Sequence, residues 1–313
     1  MTDIVTYEDV VDAADRIAPH VHRTPVFTSR HLDSVSDANV FLKAENLQRV
    51  GAFKARGAVN AVLSLSDTEA CRGVATHSSG NHGQAVAYAC AIRGIPATIV
   101  MPENTTPVKV DAVEGYGATV VFCPQPERER RLAEIVASSQ AVVVHPFDDH
   151  DVIAGQGTAS LEFVEQVDSL DTIITPIGGG GLLSGASAVA ANLGIRAIGA
   201  EPEIVDDSYR SLRDGVRYPA TGEISVGDGL LTGIGQIPFE MLTRAAVEIL
   251  TVSEQEILHA MRMLAERTKL VVEPSGATGV AALIRYARQF SGERVGIILS
   301  GGNVDLSRFG ATD

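Results

Sequence analysis

Short runs of apolar, largely β-branched residues recur along the chain, and most are followed by an alanine-rich stretch with helical spacing. The runs at 40–43, 73–76, 97–100, 119–122, 141–144, 172–177, 197–200 and 295–299 predict strands. β-Branched side chains pack well on a pleated surface, and runs of this length suit a buried strand. The stretches 83–93, 127–138, 155–166, 182–192 and 254–268 predict helices between them. Residues 6–17 predict another, with Thr6 as N-cap and Glu8 and Asp9 beside the positive end of the helix dipole. Nearly continuous apolar strands alternating with helices read as α/β, with parallel sheets covered on both faces. Segment 201–238, rich in Gly, Pro and Asp, is the longest irregular stretch and a candidate site-lining loop. No linker is visible, so two sheets could share the chain non-sequentially.

Composition narrows the function classes. The 313 residues suggest roughly two domains. With 39 acidic against 25 basic side chains, the net charge of −14 argues against binding a nucleic-acid backbone or an anionic membrane surface. No apolar stretch approaches the ~20 residues of a membrane span, and no basic start followed by an apolar run predicts a signal peptide. The three cysteines, Cys71, Cys90 and Cys123, are widely spaced without CxxC pairing, so a reducing cytoplasm is expected.

Three segments carry candidate chemistry. Gly178, Gly179, Gly180 and Gly181 follow a predicted strand and open a predicted helix. Successive backbone N–H groups without Cβ interference, at a helix N-terminus, suit an anion such as a phosphate. A Walker loop is excluded, because no Gly-Lys-Ser/Thr follows. A dinucleotide site stays open on this segment alone: Gly179 and Gly181 are followed by Ser184, and Glu201 sits where a ribose-binding acid would be. Ser78-Ser79-Gly80-Asn81-His82-Gly83 likewise joins a strand to a helix, and its small polar residues suit a carboxylate. In the third segment, Lys54 follows Phe53 in apolar surroundings that could desolvate its ammonium. Desolvation lowers a lysine's pKa and frees the neutral amine that Schiff-base chemistry needs.

Taken together with Ser300-Gly-Gly-Asn303, these motifs stand in the order seen in a known family. The chain resembles the pyridoxal-phosphate (PLP) serine/threonine dehydratases and serine racemases of the tryptophan-synthase-β-like fold, fold type II. The resemblance runs from Arg23-Thr-Pro25 to Asp305. It implies two open, twisted, mostly parallel sheets flanked by helices, with PLP in the cleft between a large domain (1–48 and 146–313) and a small, inserted, mobile one (49–145). It also implies a homodimer.

Carried over residue by residue, the resemblance has Lys54 hold the cofactor through a Schiff base, with Phe53 beside the ring. Gly178 to Gly181 would hold the phosphate, Asn81 the 3′-hydroxyl, and Ser300 would face the pyridine nitrogen. Ser78, Ser79 and His82 would surround the substrate carboxylate. The freed Lys54 amine would remove the Cα proton, and loss of the β-hydroxyl would yield a 2-oxo acid and ammonia. Ser79 matches a racemase serine on the opposite face, so racemisation is an alternative to elimination. Arg130 matches a racemase arginine that approaches the substrate on closure; its plain reading is a solvated helix charge. Glu201, the carbonyl of Val205 and Asp207 match a divalent-cation loop whose hard oxygen donors suit Mg²⁺ or Ca²⁺. No HExxH or paired Cys/His pattern suggests a transition metal.

Ala52 departs from the serine that many relatives carry before the Phe-Lys pair. The opening Arg-Thr-Pro segment and Gly-Ala-Phe-Lys also resemble the threo-3-hydroxyaspartate ammonia-lyases. Such a substrate needs an extra basic group, which the sequence does not locate. From other classes, an NAD-binding oxidoreductase and a catalytically silent amino-acid binder remain as alternatives. The expectation is a dehydratase of serine/threonine-type β-hydroxy amino acids.

Overall fold

The computed structural model describes residues 4–78 and 80–306. Its strands in chain order are Val26–Thr28 (β1), Asn39–Lys43 (β2), Val74–His77 (β3), Ala97–Pro102 (β4), Thr119–Cys123 (β5), Val142–Val143 (β6), Thr172–Pro176 (β7), Arg196–Pro202 (β8), Glu248–Val252 (β9) and Arg294–Ile298 (β10). They form a six-stranded sheet, β1-β2-β10-β7-β8-β9, and a four-stranded sheet, β5-β4-β3-β6. Every pairing is parallel except β1 with β2. The smaller sheet comes from one continuous stretch, whereas the larger one joins both ends of the chain. The anticipated α/β class with two mainly parallel sheets is therefore the observed one.

All eight predicted strands are present, each built on its apolar run, although β5 and β6 are only partly buried. Two strands are additions. β1 is a three-residue antiparallel edge without a long apolar run, and β9 lies in a segment with no alanine-rich helix directly before it. The helix predicted at 155–166 begins earlier, at His150, because the Asp149 side chain accepts the Val152 N–H at 3.0 Å and caps it. The capped N-terminal helix is Tyr7–Ile17; Thr6 and Asp9 form a reciprocal capping box. Segment 201–238 is less irregular than expected. It contains the amphipathic helix Asp207–Asp214, too polar and short to announce itself in a hydrophobic pattern.

The helix Lys54–Ser64 packs on both Asn81–Arg93, beside the smaller sheet, and His150–Gln166, beside the larger one. It is the element through which the two halves meet, and its first residue is Lys54. Behind it lies a buried ion cluster. Arg56 donates to Glu45 at 2.8 Å and to Glu162 at 3.2 Å, and Lys43 pairs with Glu162. Pairing offsets the desolvation cost of these buried charges.

Candidate active site

The turn before Lys54 is forced. Val50 has φ +55° and Gly51 φ +70°, and a Cβ on Gly51 would lie 2.5 Å from Asn303 Oδ1. A β-branched residue at positive φ is strained, so surrounding contacts must hold it there. They come from the far end of the chain. The Phe53 N–H donates to Ser300 O at 3.0 Å, the Gly302 N–H to Gly51 O at 2.9 Å, and Asn303 Nδ2 to Val50 O at 2.7 Å. Two motifs about 250 residues apart in sequence thereby make one corner.

Lys54 is half-buried, and its amine donates to Pro146 O at 2.7 Å. No carboxylate among the described residues opposes it. Burial alone therefore depresses its pKa from 10.5 to about 8. The Phe53 ring centroid lies 5.1 Å from Nζ. Both residues open into a cavity of about 520 Å³ between the two sheets, with Ser78, Asn81, His82, Gly178 to Gly181 and Ser300 also on its walls. The structure thus brings together three motifs and the Ser300 loop. Ser79 lies outside the described residues.

The glycine turn links β7 to the helix Gly181–Leu193, and Gly180 takes φ +90° without any side-chain cap. The helix N-terminus keeps backbone N–H groups for an anion. Close packing is a second reason for glycine. A Cβ on Gly179 would sit 2.2 Å from the Phe147 ring, and one on Gly178 would sit 2.9 Å from Leu230 Cα. Phe147 is a pocket residue that the sequence pattern did not single out.

His82 plays a narrower part than anticipated. Its Nε2 pairs with Val144 O at 3.0 Å, and burial, followed by the nearby Lys54 charge, lowers its pKa well below 6.5. The neutral ring spends its one N–H on Val144, so Nδ1 has no proton to offer a carboxylate. Ser78 and the backbone at the start of the Asn81–Arg93 helix remain as donors there.

Arg130 is not brought to the cavity. It is exposed on the helix Arg128–Ser139 and ion-paired with Glu127 and Glu134. Arg128, two residues earlier, lines the cavity instead and makes no ion pair among the described residues. It faces His77, whose pKa is lowered by burial and then by the Arg128 charge, and whose buried Nδ1 has no partner. Lys109 also reaches the cavity, 3.6 Å from Asp228. Both are basic groups on the cavity wall that the sequence pattern did not single out. Two arginines on one helix turn cannot be told apart without knowing which face docks.

Glu201 does not line the cavity. Its carboxylate accepts the Ser208 and Tyr209 N–H groups at 3.0 and 2.8 Å, which removes it as a ribose partner. Burial raises its pKa to about 8, with the neighbouring Asp207 adding to the shift against the two N–H bonds. Asp207 is buried, neither of its oxygens has a hydrogen-bond partner among the described residues, and burial raises its pKa to about 6. Among the described residues no group of three or more His, Cys, Asp or Glu side chains is arranged to hold a metal. Two carboxylates and a backbone carbonyl fall outside such a pattern.

Comparison with known proteins bears on the same cavity. Residues 17–301 match the family described as pyridoxal-phosphate dependent enzymes. The beta-hydroxyaspartate dehydratase of Paracoccus denitrificans (strain Pd 1222) is 44% identical over 97% of this chain and 98% of its own. The L-threo-3-hydroxyaspartate ammonia-lyase of Saccharomyces cerevisiae is 44% identical, over 98% and 95%. The crystal structure of the serine racemase from Dictyostelium discoideum superposes with a TM-score of 0.92 at 44% identity, covering 96% of this chain and 99% of that one.

Proposed function

Because the chain belongs to the pyridoxal-phosphate-dependent enzyme family, we propose that its reaction is α,β-elimination from a β-hydroxy-α-amino acid, giving a 2-oxo acid and ammonia. The observation that carries this is the buried, carboxylate-free Lys54 amine in one cavity with the glycine turn. Once bound, the cofactor supplies an electron sink for the pair left on Cα.

The chain's own residues do the rest. Lys54 takes the Cα proton, and its depressed pKa keeps an appreciable fraction of the amine neutral near pH 7. Gly178 to Gly181 hold the phosphate with backbone N–H groups, and their fit is supported by walls that leave no room for a Cβ at Gly178 or Gly179. Ser78 and the helix start beside it orient the substrate carboxylate. Residues 49–145 serve as the small domain, and the cavity between the sheets is the cleft it closes. A cytoplasmic setting belongs to the same reading, supported by three cysteines that are all unbridged.

Within this reaction the substrate is 3-hydroxyaspartate in preference to serine, a choice supported by Arg128. A distal carboxylate needs a cation, and Arg128 reaches the cavity without an ion pair, beside His77. Racemisation, which would turn on Ser79, is the second reading, supported by the similarity to serine racemases. A divalent cation at Glu201, Val205 and Asp207 is also part of the reading, because a buried carboxylate with two unpartnered oxygens is costly unless a cation compensates it.

Borohydride treatment tests the assignment. It should fix a pyridoxyl group on Lys54, visible by peptide mass spectrometry. Label on another lysine, or on none, would contradict it.

A further inference from the structure

Glu273 is a buried carboxyl on the cavity wall for which the reaction above has no use. It immediately precedes the helix Pro274–Arg285 but makes no side-chain cap to it. Its two oxygens turn elsewhere. Oε1 accepts Asn81 Nδ2 at 2.9 Å, and Oε2 accepts the Asn303 backbone N–H at 3.1 Å. Asn303 Nδ2 closes the ring on Asn81 Oδ1 at 2.8 Å. Both polar atoms of Asn81 are thereby engaged. The amide orientation is fixed as well, since a flipped Asn81 would set oxygen against the carboxylate and nitrogen against nitrogen.

The ring joins the helix that follows β3 in the smaller sheet to two segments of the larger one. It is packed as tightly as it is bonded: a Cβ on Gly301 would lie 2.5 Å from Glu273 Oε1 and 3.2 Å from Asn81 Nδ2. An ionised carboxylate, with two acceptor oxygens and no donor, serves both N–H groups. A glutamine there would set its own NH₂ against one of them. The carboxyl is not a comfortable choice energetically: burial, then the Asp228 charge, raises its pKa to about 7 against the Asn81 and Asn303 bonds and Lys109. A site that tolerates this cost uses the geometry it obtains.

We propose that Glu273 is a positioning residue, which holds the Asn81 amide across the seam between the two sheets in the orientation that the cofactor's ring hydroxyl requires. The inference rests on the pyridoxal-phosphate reading and goes beyond it by assigning a role to a residue that has none.

The test is a double-mutant cycle on cofactor binding, read by absorbance titration of apo-protein with PLP and requiring no turnover. Asn81→Ala and Glu273→Ala should each weaken binding by about tenfold and displace the bound cofactor's absorption maximum in the same direction. The double variant should bind no more weakly than Asn81→Ala alone. Glu273→Gln, which keeps one of the two acceptors, should fall between wild type and Glu273→Ala; it also carries the test if the alanine variant does not fold. Multiplying single effects, or an unchanged spectrum in a folded Glu273 variant, would overturn the proposal while leaving the family reading intact. A wild-type protein that binds no PLP would overturn both.

Discussion

Lys54 illustrates how burial alone sets reactivity. Its folded pKa of about 8 lies below the ordinary 10.5, so between these values the unfolded chain holds a proton that the folded chain has lost. Stability of the cofactor-free protein therefore rises with pH across roughly pH 8–10.5, and the burden is fully present below pH 8. Lys54→Met, which removes the amine and keeps the volume, should stabilise the apo-protein at pH 7 by up to about 3 kcal/mol. That gain should shrink as pH approaches 10.5, as followed by urea unfolding. Arg128 and Arg130 provide a second residue-scale test. Arg128→Ala should raise KM for 3-hydroxyaspartate by about tenfold or more and change that for serine little, whereas Arg130→Ala should alter neither. Steady-state kinetics on both substrates distinguishes them. The lysine was legible in the sequence because its apolar neighbours are local. Arg128 and Glu273 were not, because their meaning depends on which helix face docks and on partners up to about 190 residues away.

Among the elements, the glycine turn does two jobs at once. Gly179→Ala should weaken PLP binding by more than tenfold and destabilise the protein by about 1–3 kcal/mol, the usual cost of overpacking. Adding Phe147→Ala should relieve part of the steric cost, so thermal unfolding and cofactor titration together separate packing from anion binding. The parallel strands could be read because each carries its own run of apolar residues. Asp207–Asp214 could not, since eight mostly polar residues form a helix only by packing one edge into the loop they help to make. The role of the 300–303 loop in placing Lys54 was likewise hidden: its contacts are backbone bonds, to which hydrophobic patterning is blind.

Over the whole molecule, the two sheets account for the absence of any visible linker. The chain leaves the larger sheet after β2, builds the smaller one, and returns at β7. The net charge of −14 says little about the site, where Lys54, Lys109 and Arg128 share the walls with Glu129, Asp228 and Glu273. Acidity matters more at Glu201 and Asp207. Addition of Mg²⁺ to EDTA-treated protein should raise the thermal midpoint by several degrees, and Asp207→Asn should abolish that rise. An equal rise in both proteins would place the cation elsewhere. No helix among the described residues is long and apolar enough to cross a membrane.

The central claim is elimination from a β-hydroxy amino acid by way of Lys54. It is tested most directly by quantifying 2-oxo acid and ammonia released from 3-hydroxyaspartate, serine and threonine by the wild-type holoenzyme and by Lys54→Ala. The account predicts equimolar oxo acid and ammonia from the wild type, highest kcat/KM for 3-hydroxyaspartate, and no turnover by the variant. Turnover by Lys54→Ala near the wild-type rate, or a folded, cofactor-loaded wild type that releases neither product from any of the three, would contradict it.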